Sequence, residues 1–357
     1  MSTKMLHPSE YPELQPAFGL WQLYHPETAP YRFTAQTVDE ARSWQVRVRA
    51  ALEQAIGFSD LPPAHSEPRL LETVDKGSYR REKWLLRTWQ HALLSFYLLI
   101  PKQVIPPYRL VLALHGHGYG VKDIVGLWED GEERNTPDGY HRDFGVALCQ
   151  RGFMVAAPEI SCFGERQTDF SYLNQTIGQP VPTTCHHTAA LAFHLGGSVI
   201  GLRAFDARRL LDYLLTRDDV DPQRIGAMGI SGGGMHTFFS ACLDERIRAV
   251  VISGYYSSFR ASILAMDHCF CNYVPGLARF GEMQDLIGLI APRPVLVESG
   301  TYDPIFPIAA VQQAVNYARE KVYDIFGAKD EVETDLFEGR HRINGHRAYD
   351  FLWEKLD

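Results

Sequence analysis

The sequence predicts an α/β protein: a mostly parallel central sheet, helices on both of its faces, and a helical arm at the N-terminus. Three observations carry this. Beyond about residue 65, short apolar runs alternate with stretches of helical period, the pattern of βαβ units. Those runs are apolar throughout instead of alternating, as in strands covered on both faces. The first 60 or so residues are richer in Pro, Tyr and Trp and then turn helical.

In chain order, the segment TVDEARSWQVRVRAALEQAIGF places Trp44, Val48, Ala51, Leu52, Ala55 and Ile56 at helical spacing. PPAHSEP (62–68) is a linker. We therefore expect residues 1–64 to form an extension packed on the body, with Phe18, Trp21, Tyr24 and Tyr31 buried, and residues 65–357 to form one catalytic domain. RREKWLLRTWQHALLSFYLLIP (80–101) reads as two early strands. YRLVLALHG (108–116) and FMVAAPE (153–159) are strands flanking the helix HRDFGVALCQRG (141–152). The helix of 198–217 precedes RIGAMGIS. Strands follow at 249–255, 294–300 and 332–339, with helices at 309–328 and 345–356.

Composition narrows the function classes. The 357 residues are 45% hydrophobic and 22% charged, with a formal charge of -8. Such a chain lacks the basic excess of a nucleic-acid binder. No run of roughly 20 apolar residues suggests a membrane span, and the first residues lack the apolar core of a secretory signal. Six scattered cysteines read as reduced thiols, so a cytoplasmic location is expected. Cys269 and Cys271, beside His268, form the one close pair. No second pair stands at zinc-site spacing, so no metal is expected.

In a parallel sheet, reactive groups sit beyond the strands' carboxyl ends. Gly229-Ile230-Ser231-Gly232-Gly233 lies between an apolar strand and a helical stretch. It matches G-x-S-x-G, in which small residues allow a sharp strand-to-helix turn that presents a serine hydroxyl. A serine needs a base, and the base needs an orienting acid. Asp303 follows the strand PVLVESG. A turn aspartate is the plain alternative there, but the order Ser–acid–His favours the acid, and Asp267 and Asp285 fit that order less well. His341 comes directly off the strand VETDLFEG, whereas His346 is expected to open the last helix. The oxyanion donors are expected to be the amides of Gly232 and of His117, in the loop His115-Gly116-His117-Gly118-Tyr119-Gly120. The glycines there favour a loop that approaches a ligand over a metal site at His115 and His117. Gly118, Tyr119, Phe163, Arg166, Tyr302 and Phe306 are candidates to line the pocket. A Glu165–Arg166 pair that merely fixes a loop is the alternative for that stretch. The histidines of HHTAALAFHLGG (186–197) are expected to be structural or pocket-lining.

Together HGHG, FGER, TRDDVDPQRIGAMGISGGG, LIAPRPVLVESGTYDPIFP and FEGRHR resemble the α/β-hydrolase superfamily. More narrowly, they are similar to bacterial dienelactone-hydrolase-like serine esterases related to acetylxylan esterases. The resemblance covers about residues 65 to 357. It implies the α/β-hydrolase fold, a carboxylic ester hydrolase with Ser231, Asp303 and His341 as triad, and often a homo-oligomer. Dienelactone hydrolases proper use a cysteine nucleophile, so Ser231 removes the ground for expecting a dienelactone substrate.

The expected activity is hydrolysis of short-acyl esters, acetylated carbohydrates among them, with a small-molecule ester as partner and no cofactor. Other readings are a prolyl-oligopeptidase-type peptidase, a lactone hydrolase, and a non-catalytic binding protein. The peptidases carry a large propeller that has no room in the 65 or so residues before the body. The binding proteins usually lose a triad member.

Overall fold

The computed structural model describes residues 6–171 and 183–357. Its centre is a nine-stranded sheet in the order β1-β2-β3-β5-β4-β6-β7-β8-β9. The strands are β1 Arg69–Asp75, β2 Tyr79–Trp89, β3 Ala92–Pro101, β4 Tyr108–Leu114, β5 Met154–Pro158, β6 Val220–Ile230, β7 Ala249–Ser253, β8 Val295–Gly300 and β9 Val332–Phe337. From β5 to β9 along the sheet all neighbours are parallel; β1, β2 and β3 join antiparallel. The expected mostly parallel sheet is therefore present, with an antiparallel edge. Among the described residues, no single helix is long and apolar enough to cross a membrane.

The helices are α1 Pro16–Trp21, α2 Val38–Ile56, α3 Phe144–Gln150, α4 Thr184–His194, α5 Val199–Leu214, α6 Gly232–Leu243, α7 Met283–Leu286, α8 Ile308–Tyr317 and α9 Ala348–Lys355. They cover both faces. On β4, Leu110, Leu112 and Leu114 enter a core shared with α2, α5, α6 and α8. Val111 and Ala113, pointing the other way, enter a core shared with α3 and α9. Strand alternation thus produces two cores from one apolar run.

The helix expected around Trp44 is α2. Thr37 caps it, its hydroxyl accepting from the Glu40 amide at 3.3 Å, and Gly57 ends it with φ of 74°. Ala41, Trp44, Val48, Leu52 and Ile56 are buried along one face. Trp44 Nε1 donates to the Arg32 carbonyl at 2.9 Å, and Gln45 Nε2 donates to the Gly288 carbonyl at 2.7 Å. The more N-terminal segment departs from expectation. Tyr24 donates to Glu282 at 2.8 Å and Tyr31 stacks on Phe280, but Phe18 and Trp21 are exposed. The six-residue α1 is too short to bring a whole apolar face onto the body.

Three further differences are local. Strand β1 was not anticipated: none of its residues is buried, and Leu70, Leu71 and Val74 neither alternate nor form one apolar run. The helix expected at 309–328 is regular only to Tyr317, then passes through a π turn at Ala318–Tyr323 and a tight turn at Asp324–Phe326. The last helix begins at Ala348, so His346 lies in the preceding loop, exposed to solvent.

Candidate active site

Strands β4, β6, β8 and β9 run in one direction, so the loops after them meet on one edge of the sheet. Ser231 stands between β6 and α6 with φ 58° and ψ -121°. A non-glycine residue rarely adopts this conformation. The turn explains its glycines. A Cβ on Gly229 would press into the Gly233 carbonyl, and a Cβ on Gly233 would press into the Leu114 carbonyl of β4. Helix α6 starts this close to two strands only because those side chains are absent.

Asp303 follows β8 and is buried. Its Oδ1 accepts from the amides of Ile305 at 2.8 Å and Phe306 at 3.2 Å, and its Oδ2 lies 2.7 Å from Nδ1 of His341. His341 follows β9. Its Nε2 is buried and has no hydrogen-bond partner among the described residues. Phe306 stacks on the imidazole from one side, with ring centroids 5.9 Å apart. Gly254 leaves room for the ring, since a Cβ there would stand 2.8 Å from Cε1 of His341. Ser231 and His341 line one cleft of about 450 Å³, together with His117, Tyr140, Met266, Asp267, His268, Cys269 and Ile305. The structure thus brings the three residues singled out as nucleophile, acid and base to one edge of the sheet, two of them in one cleft.

Gly232 is the first residue of α6, so its amide has no acceptor within the helix. His117 lies beside it: a Cβ on Gly232 would meet the His117 ring at 2.9 Å. The two proposed oxyanion residues are therefore neighbours. Burial depresses the pKa of His117, but the hydrogen bonds its ring makes to the Cys269 and Cys271 sulfurs outweigh this and raise it to about 9. His115, by contrast, is fully buried. Its Nε2 accepts from the Ile160 amide at 3.0 Å, tying the loop after β4 to the loop after β5.

The six pocket candidates lie elsewhere than the cleft wall. Gly118 is exposed, and Tyr119 donates to the Leu127 carbonyl at 3.0 Å. Phe163 packs edge-on against His115 and His117. Arg166 pairs with Asp206 at 2.7 Å, and Glu165 pairs with Lys83, so each fixes the loop through a different partner. Tyr302 is 64% exposed, and Phe306 is buried beneath His341. Of the two weaker acid candidates, Asp267 lines the cleft, whereas Asp285 accepts from the Phe33 amide at 3.2 Å. His186 stacks on Phe270, and His187 meets Phe170 edge-on.

Sequence reasoning missed Tyr140 and His141. The Tyr140 hydroxyl lies against Ser231 and donates to the His117 carbonyl, and burial pushes its pKa well above the usual phenol range. His141 is fully buried. Its Nε2 accepts from the Gly116 amide at 2.8 Å, and its Nδ1 lies 2.8 Å from Asp123 Oδ2. Burial lowers its pKa, although Asp123 pulls the other way. Arg134 closes this network with ion pairs to Asp123 and Asp143. Both residues sit before α3 and not at a strand end, so the strand-end rule passed over them. It also passed over Met266 and gave no pocket role to Asp267, His268 and Cys269, which lie in the long segment between β7 and β8.

A family model described as the Abhydrolase family matches residues 21–341. "Putative hydrolase YtaP" of Bacillus subtilis is 29% identical over 256 residues, covering 70% of this chain and 78% of that protein. Two solved structures share the fold. A "putative acetyl xylan esterase" from Bacteroides fragilis superposes with a TM-score of 0.73 at 19% identity, covering 91% of this chain and 82% of that one. A glucuronoyl esterase from Solibacter usitatus superposes with a TM-score of 0.66 at 15% identity, covering 93% of this chain and 100% of that one.

Proposed function

This chain belongs to the Abhydrolase family, and on that premise we propose that it is a serine carboxylic ester hydrolase acting on short-acyl esters, acetylated carbohydrates in particular. One observation carries the proposal. His341, held at 2.7 Å by Asp303, shares a cleft with a serine fixed at φ 58° on a strand–helix turn.

In this reading the Ser231 hydroxyl oxygen attacks the ester carbonyl carbon and its proton passes to Nε2 of His341. Asp303 accepts from Nδ1–H, which fixes the tautomer and stabilises the imidazolium. The amides of Gly232 and His117 donate to the oxyanion of the tetrahedral intermediate. His341 then returns the proton to the departing alcohol oxygen, leaving an acyl-serine. Water, deprotonated by the same imidazole, attacks that acyl group and releases the acid. The steps themselves need no cofactor.

Short acyl groups fit the cleft wall. Most of the exposed wall is apolar, from the rings and from Met266 and Ile305, but polar groups of His117, Tyr140, Asp267 and His268 interrupt it. A longer chain gains about 0.8 kcal/mol for each methylene that meets apolar wall. Against polar groups it costs their desolvation instead. The names of the two solved structures, both carbohydrate esterases, lend support to a sugar ester. We further propose that residues 1–64 form an extension packed on a catalytic body of residues 65–357, supported by the hydrogen bonds from Gln45 to the Gly288 carbonyl and from Tyr24 to Glu282.

The test is kcat/KM for p-nitrophenyl acetate, butyrate, octanoate and palmitate, with acetylated xylan and an aminoacyl-proline amide alongside. The acetate and the acetylated sugar should lead. A maximum at octanoate or longer overturns the short-acyl reading, and faster cleavage of the amide overturns the esterase reading.

A further inference from the structure

At the cleft wall and behind it, four side chains from three separate stretches of chain converge. His117 comes from the loop after β4, Cys185 from the first turn of α4, and Cys269 and Cys271 from the segment between β7 and β8. One ligand atom from each, an imidazole nitrogen and three sulfurs, lies within 4.8 Å of all the others. The Cys271 sulfur is 3.5 Å from Nε2 of His117 and 3.2 Å from the Cys269 sulfur. A tetrahedral zinc ion bound at about 2.3 Å by sulfur and about 2.0 Å by nitrogen spaces its ligands at roughly 3.5–3.8 Å. The Cys271–His117 separation matches that spacing, the Cys271–Cys269 pair is closer than it, and all four atoms lie within reach of one ion. All six cysteines of the chain are free thiols, and the 3.2 Å sulfur pair is no disulfide.

The surroundings fit a bound cation with thiolate ligands. Arg203 is fully buried, yet among the described residues its guanidinium makes one hydrogen bond, to the Ser161 carbonyl, and its Nε and Nη1 have no partner. It lies within electrostatic reach of the sulfurs of Cys162, Cys185, Cys269 and Cys271. A buried guanidinium without a carboxylate is costly unless another negative charge balances it. Three thiolates, a neutral imidazole and a dication sum to one negative charge, which matches Arg203. The Asn272 amide also points at the Cys271 sulfur, 3.6 Å away, as an outer hydrogen bond to a ligand does.

We propose that His117 Nε2 and the sulfurs of Cys185, Cys269 and Cys271 bind one zinc-class metal ion in a closed structural site. All four positions are filled by protein, so the ion has no place for substrate or water. Its work is mechanical: it ties the loop carrying His117 to the segment carrying Asp267 and His268. Each thiol loses its proton to solvent as the ion binds, so occupancy falls as the solution becomes acidic. The proposal uses the His117 ring and not its amide, and its test does not depend on the ester reaction.

The test is elemental analysis of the purified full-length protein, followed by cobalt titration of protein stripped of metal and reduced. About one zinc per chain is expected. Cobalt should give thiolate-to-cobalt charge-transfer absorption and the intense visible bands of a tetrahedral site, saturating at one equivalent. Cys271→Ser and Cys185→Ser should lose this spectrum, whereas Cys149→Ser, in the opposite core, should keep it. Should the serine variants fail to fold, the wild-type titration decides alone. Less than a tenth of an equivalent of zinc, together with no tetrahedral cobalt spectrum, overturns the proposal. A spectrum of full intensity in both folded serine variants also overturns it.

Discussion

The amide of Gly116 donates to Nε2 of His141 at 2.8 Å, while Nδ1 of the same ring lies 2.8 Å from Asp123. Because Nε2 accepts, the ring is neutral and carries its proton on Nδ1. The imidazole thus anchors the backbone one residue before His117, a proposed oxyanion donor.

Replacing His141 should therefore act through that loop. His141→Ala is expected to lower kcat by about 10- to 100-fold, less than the loss of a direct oxyanion donor, and to leave KM near its original value. His141→Gln, whose amide oxygen can still accept from Gly116, should recover part of the loss. Steady-state kinetics of the two folded variants check this; equal losses in both would remove the positioning role.

Ser231 separates chemistry from conformation. Ser231→Ala should reduce turnover by at least about 10³-fold. Ser231→Gly should be equally inactive, yet about 1 kcal/mol more stable than the alanine variant, because glycine adopts φ 58° without strain. Urea denaturation of the pair measures the difference, and an alanine variant as stable as the glycine one would mean the turn is unstrained.

The two C-terminal histidines should differ sharply. His341→Ala is expected to cost as much activity as Ser231→Ala, since members of a triad act as a unit. His346, exposed and outside α9, should tolerate alanine with less than about a 3-fold effect on kcat/KM. A large loss at His346 would show that the base had been assigned to the wrong ring.

Glu298 supplies a pH signature. Burial raises its pKa to about 7, and its carboxyl holds the Ser253 hydroxyl and the Gly345 amide, each at 2.6 Å. An acid whose folded pKa is raised keeps its proton in the native state after the unfolded chain has lost its own. Its contribution to stability is therefore full below about pH 4.5 and declines between there and pH 7, by up to about 1.4 kcal/mol per unit. Glu298→Gln removes this decline. Urea midpoints of both proteins from pH 4.5 to 8 should converge at the acid end and separate in favour of glutamine at the alkaline end.

Local chemistry made part of this molecule readable in advance. Ser231 announces itself because the glycines that its turn requires are sequence neighbours. Asp303 and His341 each follow an apolar strand, and strand ends can be found by composition. What composition could not reach depends on distance along the chain. Tyr140 and His141 touch Gly116 and His117 only because the long segment between β4 and α3 doubles back on itself. Cys185 meets Cys269 and Cys271 only once α4 docks, and no spacing rule spans so large a separation. Strand β1 escaped notice for the opposite reason: as an exposed edge, its residues lack any apolar pattern.

The contact between Gly233 and the Leu114 carbonyl also separates two kinds of genetic constraint. In a library of all single substitutions, position 233 should be depleted when cells are sorted for protein abundance, because any side chain there wedges α6 away from β4. At position 231 glycine and alanine should pass that sort, and every substitution should be depleted under selection for hydrolysis. The two residues lie a few ångströms apart on one turn, yet small side chains separate them: abundance excludes these at 233, and activity alone excludes them at 231. A scan that read activity alone would record both as essential and would take the architecture of the elbow for part of its chemistry.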